Sequence, residues 1–173
     1  RQAVTELHRA LTAMLSKLEP QLAGQEPPVA ALARVLAVMR FHRRLPRTHP
    51  DAHRLVAVLL GDPRQLIADD HAAATVPLLV ALLADVQALL EAAATTGGCE
   101  PGDAHARAIA LWALLHGLGQ LTKLARLAPR TLATADVERV AIETLLRGFG
   151  ADARLVRRAE LALDRHGSPG ERV

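Results

Sequence analysis

The hydrophobic positions of the chain recur with a helical period from one end to the other, and proline and glycine separate the segments. No alternating run of Val, Ile and Thr is long enough to indicate a strand. We therefore expect an all-α fold, an antiparallel bundle of about six to seven helices. The predicted helices span residues 2–18, 27–44, 50–61, 76–94, 103–127, 134–150 and 152–165, with one helical turn at 63–67.

Two of these helices, 103–127 and 134–150, carry more apolar surface than one small chain can cover. Between Ile109 and Leu121 no residue is charged at neutral pH, and the polar side chains are those of His116 and Gln120. A surface helix has one apolar stripe, whereas a helix that is apolar all round is buried on every side. The pattern therefore predicts a homodimer in which a second copy of the chain covers this pair.

Two glycines in the middle of helix 103–127 support the same prediction. Gly117 and Gly119 each cost about 1 kcal/mol relative to alanine in a helix interior. Such residues indicate close approach of another backbone, which we expect to be a helix of the partner.

The composition is that of a globular protein. Half of the 173 residues are apolar and 23% are charged, which fits one folded domain. No apolar run reaches the ~18 residues that a membrane span needs, because Arg, Asp or His interrupts each one. No secretory signal pattern is found, and the single cysteine, Cys99, favours a reducing compartment. We therefore expect a cytoplasmic protein with no membrane partner.

The net charge of +3 is mildly basic, and arginine supplies nearly all of the positive charge. Richness in Ala, Leu and Arg with little Lys is typical of a GC-rich bacterial genome. One basic cluster within residues 40–49 could form a phosphate-facing patch. We favour a solvated helix end, because cations near a helix C-terminus complement its dipole. The cluster comprises Arg40, His42, Arg43, Arg44, Arg47 and His49.

A search for catalytic patterns indicates no enzyme. His49 and His53 have the spacing of a metal-binding pair on one helix face, but no third ligand is fixed by spacing. The chain contains no Glu-x-x-His pair, nucleophile elbow, phosphate-binding loop or dinucleotide fingerprint. We therefore expect no catalytic residue, no metal and no cofactor.

Trp112 and His116 lie four residues apart on one side of helix 103–127. The single Trp either fills volume in an aliphatic core, the interpretation we favour, or forms the wall of a ligand cavity. A histidine in an apolar helix usually has a structural hydrogen-bond partner. If His116 faces a cavity instead, it supplies the most useful polar group there.

Four segments together resemble a known family. They are ALWALLHGLGQL at 110–121, a Pro-Gly-Asp cap at 101–103, LLRGFGA at 145–151 and MRFHRRLPRTHPDAHRLV at 39–56. The chain resembles the C-terminal regulatory domain of TetR-type (tetracycline-repressor-like) transcriptional repressors along essentially its whole length. The resemblance implies that residues 1–173 are a ligand-binding and dimerisation domain. It also implies that operator DNA is bound only by an N-terminal helix-turn-helix domain, absent from this chain.

The resemblance further implies two functional surfaces. A small, lipophilic effector binds between the second, fourth and fifth helices and releases DNA by a population shift. Helices 103–127 and 134–150 form a four-helix dimer interface. The ligand-binding residues implied are Met39, His42, Leu82, Val86, Trp112 and His116. The interface residues are Leu114, Gly117, Leu118, Leu121, Val137, Val140, Ile142, Leu145 and Phe149.

Two other interpretations stay open from sequence. The first is a helical protein–protein interaction or adaptor domain without a ligand cavity, whose apolar helices bind a different protein. The second is a small helical enzyme, which the motif search disfavours.

Overall fold

The computed structural model describes residues 2–61, 69–125, 127–128 and 134–165. Within these ranges the chain forms seven α-helices and no strand, which confirms the predicted all-α bundle. The helices are α1 (Gln2–Leu22), α2 (Pro27–Thr48), α3 (Pro50–Gly61), α4 (Asp69–Thr95), α5 (Ala104–Ala125), α6 (Thr134–Gly148) and α7 (Ala153–Asp164). The predicted turn at 63–67 lies outside the described residues.

Three prolines lie inside helices rather than at the boundaries where the sequence predicted them. α1 and α2 continue for two residues beyond Pro20 and Pro46, and α4 begins well before Pro77. Proline has no N–H donor, so it removes one hydrogen bond to the preceding turn, but its fixed φ is compatible with a helix. Pro20 and Pro46 lie two residues before a helix end, where that loss is small and the helix continues past the residue.

Aspartate side chains cap two helix N-termini. Asp103 Oδ1 accepts a hydrogen bond from the Ala106 N–H at 3.0 Å, as predicted for the start of α5. Asp152 Oδ1 accepts from the N–H groups of Arg154 and Leu155 at 2.8 and 3.2 Å, at the start of α7. Each carboxylate satisfies amide donors that have no partner within the helix.

The core of the bundle is built around α2. Between Val29 and Met39 every residue except Arg34 is buried, and α2 packs against α1, α3, α4, α5 and α7. Alanines at 30, 31, 33 and 37 let neighbouring helices approach it from several sides. α7 lies against α2 with an apolar face that includes Val156 and Leu163.

The turn between α4 and α5 packs tightly against the start of α2. Gly97, at φ +79°, ends α4 in the left-handed region, and the Gly98 N–H bonds to the Ala93 carbonyl at 2.7 Å. A Cβ atom at Gly98 would lie 3.1 Å from the carbonyl oxygens of Ala93 and Pro28. The sequence Gly97-Gly98 therefore serves both the turn and its contact with α2.

One stretch of α4 changes the expectation about apolar runs. An 18-residue window within Thr75–Thr95 is apolar enough to cross a membrane by length and composition alone, and 11% of that window is buried inside the protein. Asp85 and Glu91 interrupt this stretch, as expected from the sequence, but they do not lower its mean hydropathy enough to exclude it by that test. In this fold α4 packs against α1, α2 and α5, and Asp85 pairs with His8 at 2.8 Å. The arrangement is compatible with a soluble protein.

Candidate ligand cavity and dimer surface

A cavity of about 280 Å³ lies between α2, α4 and α5, and α1 and α3 also contribute to its wall. On α2 and α5 the lining residues follow the i, i+3, i+4, i+7 spacing of one helix face. The wall is almost entirely aliphatic. The lining residues are Leu7, Leu11, Val38, Phe41, His42, Leu45, Val56, Val76, Leu79, Val80, Leu82, Leu83, Val86, Ala108, Leu111, Trp112 and Leu115.

The cavity opens to the surface along α4. Val76 and Val80 line it and yet are 47% and 57% exposed. Leu111 and Ala108, on the opposite wall, are almost completely buried. A ligand of moderate size could therefore enter beside α4 without unfolding the core.

His42 supplies the main polar group of this wall. Burial, and the nearby positive charges that His53 and His116 could carry, lower the pKa of His42 to about 4. The imidazole is therefore neutral at physiological pH, with one nitrogen as donor and one as acceptor. Within the described part of the chain, neither ring nitrogen of His42 has a hydrogen-bond partner. The half-buried ring is available to a molecule in the cavity.

Four of the six predicted ligand-binding residues line the cavity: His42, Leu82, Val86 and Trp112. Met39 does not, because it is 1% exposed and belongs to the central core around α2. His116 does not line the cavity either. Its Nε2 faces the Gln120 amide nitrogen at 3.5 Å, while Leu115 occupies the corresponding part of the wall.

Sequence reasoning missed most of the aliphatic wall. Leu7 and Leu11 lie on the periodic apolar face of α1, and Leu79 and Leu83 on that of α4. Their spacing identified them as core residues. No sequence signal distinguishes an apolar side chain that borders a cavity from one that fills the core.

α5 and α6 present an apolar surface that the described residues of the chain leave exposed. On α5 the exposed residues include Ala106, Ile109, Ala110, Ala113 and Gly117, at helical spacing. A Cβ atom at Gly117 would meet nothing within 4 Å. On α6, Val137 and Val140 are 39% and 53% exposed.

By exposure, the predicted interface residues fall into three groups: exposed, half-buried and buried. Gly117, Val137 and Val140 are exposed, and the half-buried leucines 114, 118 and 121 lie on α5. Ile142 and Leu145 are half-buried and pack against the chain's own core. Phe149 is 8% exposed, with the Arg107 guanidinium 5.1 Å from its ring centroid. Its prediction as an interface residue therefore conflicts with its burial inside the protomer.

Two of the four arginines in the basic cluster at the end of α2 form ion pairs with other helices. Arg40 contacts Asp164 of α7 at 2.7 Å, and Arg43 contacts Glu138 of α6 at 3.6 Å. These pairs neutralise part of the charge that a phosphate-binding patch would need.

The histidine pair shows no metal-binding arrangement in the described residues. His49 Nδ1 lies 2.9 Å from Thr48 Oγ1, and the His49 ring lies 6.1 Å from that of Phe41. No group of three or more His, Cys, Asp or Glu side chains able to hold a metal occurs there.

Comparison with known proteins gives no relative: no family model, no curated protein and no solved structure matches the chain. The family resemblance consequently depends on the four segments in which it was found.

Proposed function

We propose that the chain is the regulatory domain of a ligand-responsive transcriptional repressor of the TetR type. In this proposal two copies associate through α5 and α6, and the cavity binds a small lipophilic effector. Effector binding then releases DNA held by a module that precedes residue 1. The observation that carries the proposal is the aliphatic cavity, with neutral His42 in its wall and five helices around it.

The size of the cavity sets the affinity to expect. Its volume of 280 Å³ corresponds to that of about nine water molecules, each of which occupies ~30 Å³ in the liquid. A ligand of that size buries about eight carbon atoms, each worth ~0.8 kcal/mol before association costs. That sum, ~6 kcal/mol before association costs, corresponds to a dissociation constant of about 20 µM, and the association costs raise the expected value above this, towards the millimolar range.

The exposed faces of α5 and α6 support association of two copies. They expose alanine, valine and glycine at helical spacing, so backbones can approach closely. The two helices pack against each other and could form an isologous four-helix contact about a two-fold axis.

α1 gives a physical route from the cavity to a preceding module. Leu7 and Leu11 form part of the cavity wall, and His8 on the same helix pairs with Asp85 of α4 at 2.8 Å. An occupant that pushes on these leucines favours a different position of α1. Only such differential binding can shift a conformational equilibrium.

The ligand-binding part of the proposal is tested with 1-octanol and the fluorescence of Trp112, the single Trp of a chain without Tyr. Binding to the cavity should change the Trp112 emission with a saturable dependence on 1-octanol. Val86→Phe fills the cavity and should abolish that response. Ala88→Phe, at an exposed position of the same helix, is the matched control and should retain it. Equal responses in both variants would place the probe outside the cavity.

The dimer is tested by size-exclusion chromatography with light scattering. We expect twice the 18.5 kDa mass of one chain at micromolar concentration. Val140→Arg puts a charge on the exposed face of α6 and should give monomers, whereas Ala92→Arg, exposed on α4, should leave the dimer intact. A wild-type monomer would contradict this part of the proposal.

A helical adaptor domain that binds another protein is the second candidate. The exposure of Val76 and Val80 on α4 favours it, since such a surface could receive an apolar helix. In that case a saturable response to a small probe in the cavity would not be expected.

A further inference from the structure

The cavity wall restricts the charge of its occupant. Among the described residues that line it, only His42 and Trp112 carry polar side-chain atoms, and no Arg, Lys, Asp or Glu takes part. A buried ion is stable only when it is paired and hydrogen-bonded. The described residues of the wall therefore include no permanently charged side chain that could pair with an ionised ligand.

Neighbouring charges do not change this conclusion. Arg40 and Arg43, which flank this part of α2, are paired with Asp164 and Glu138. Asp85 of α4 is paired with His8. A carboxylate near Arg40 or Arg43, or an ammonium near Asp85, would have to compete with the partner that each charged group already has.

The neutral ring of His42 offers a hydrogen bond instead. The side chain lines the cavity from α2, and His53 of α3 and His116 of α5 oppose its protonation when they carry a positive charge. Neither of these two histidines lines the cavity. A hydroxyl can donate to the unprotonated nitrogen, and a carbonyl can accept from the N–H.

We propose that the occupant is an uncharged aliphatic molecule of about nine or ten non-hydrogen atoms, with one hydroxyl or carbonyl group hydrogen-bonded to His42. This inference rests on the proposed function, because it specifies the effector class for the same cavity. The proposed function requires only a lipophilic effector, whereas this inference requires an uncharged one. It also assigns His42 as the residue that recognises the polar group of the effector.

The test compares three probes of equal chain length that differ in charge: 1-octanol, octanoate and octylammonium. Affinities are measured at pH 7.5 on the intact chain through Trp112 fluorescence. We expect 1-octanol to bind at least ~10-fold more tightly than either ion, because an ion would lose hydration without gaining a partner.

Variants of His42 test the hydrogen bond. His42→Leu keeps the wall apolar but removes the polar group, and should weaken 1-octanol binding about fivefold. His42→Gln retains an uncharged donor and acceptor and should bind 1-octanol within about twofold of the wild type. His105→Leu, at an exposed position of α5 outside the cavity wall, is the control for loss of a histidine. Far-UV circular dichroism establishes that each variant is folded.

The outcomes separate this inference from the proposed function. Tightest binding of octanoate or octylammonium would overturn the neutral effector and leave a ligand-binding domain. Equal effects of His42→Leu and His42→Gln on 1-octanol would overturn the role of His42. Absence of a saturable response to all three probes in the wild type would overturn both proposals.

Discussion

The low pKa of His42 makes the stability of the fold depend on pH in a defined window. In the unfolded chain a histidine titrates near 6.5, whereas burial and the charges of His53 and His116 lower the pKa of His42 to about 4 in the folded protein. Between these two values the unfolded state binds more protons than the folded state. The stability that depends on a neutral His42 is therefore fully present above pH 6.5 and is lost progressively as the pH falls towards 4.

The magnitude follows from the size of the shift. Each pKa unit corresponds to about 1.4 kcal/mol, so a shift from 6.5 to about 4 costs at most ~3.5 kcal/mol once the pH is well below 4. At pH 5 His42 is protonated in almost all unfolded chains and in few folded ones, which costs ~2 kcal/mol relative to pH 8.

Urea unfolding followed by far-UV circular dichroism at pH 8 and pH 5 measures this effect. Other carboxylates and histidines also titrate, so the informative quantity is the difference between the wild type and His42→Gln, which cannot titrate. We expect the wild type to lose ~2 kcal/mol more than His42→Gln between the two pH values. Protein concentration is held constant, because an associating chain is stabilised by mass action.

A control variant shows whether the effect is specific to this site. His105 is exposed on α5, and His105→Gln should lose as much stability at pH 5 as the wild type. If His42→Gln and the wild type lose the same stability to within ~0.5 kcal/mol, the reasoning about the buried neutral imidazole is refuted.

Three further changes test other parts of the account. Asp152→Ala removes the α7 cap and should cost ~1 kcal/mol in urea unfolding, whereas Asp152→Ser should retain most of it; equal losses would contradict a capping role. Leu146→Ala, at a 1% exposed position, should lower the free energy of unfolding by about 2–5 kcal/mol. Leu161→Ala, at a 49% exposed position, should lower it by less than ~1 kcal/mol. Gly117→Ala adds a Cβ atom that meets nothing within the protomer, so it should stabilise α5 by ~1 kcal/mol yet weaken dimerisation if a partner helix packs there. Sedimentation at increasing dilution measures that dissociation, and an unchanged or tighter dimer would contradict close helix approach at Gly117.

Much of the fold was readable from the sequence because helical periodicity is a local property. The all-α class, the seven helices and the cap at Asp103 all follow from spacing and from side chains within a few residues. The predicted helix ends near Pro20 and Pro46 were less accurate. A proline marks where a hydrogen bond is lost, but packing of the surrounding residues decides whether the helix continues.

The site was less predictable because it depends on how helices are rotated against one another. His42 and Trp112 were predicted at the cavity and line it, whereas Met39 turns into the core and His116 lies beside Gln120 rather than on the wall. A rotation of one helix by a single residue position exchanges such neighbours. Phe149 could not be placed from the sequence for the same reason, because the Arg107 guanidinium that covers its ring belongs to a different helix, α5.

The central claim is that two associated copies respond to an occupant of the cavity by moving α1. The direct measurement is the distance between spin labels on α1 of the two protomers, with Arg9→Cys as the labelled exposed position and Cys99→Ala to remove the native thiol. The distance distribution between the labels is recorded by pulsed electron paramagnetic resonance without ligand and with saturating 1-octanol. The account predicts one intersubunit distance that shifts by about 2 Å or more on binding. An absence of any intersubunit distance, or the same distribution with and without 1-octanol, would contradict it.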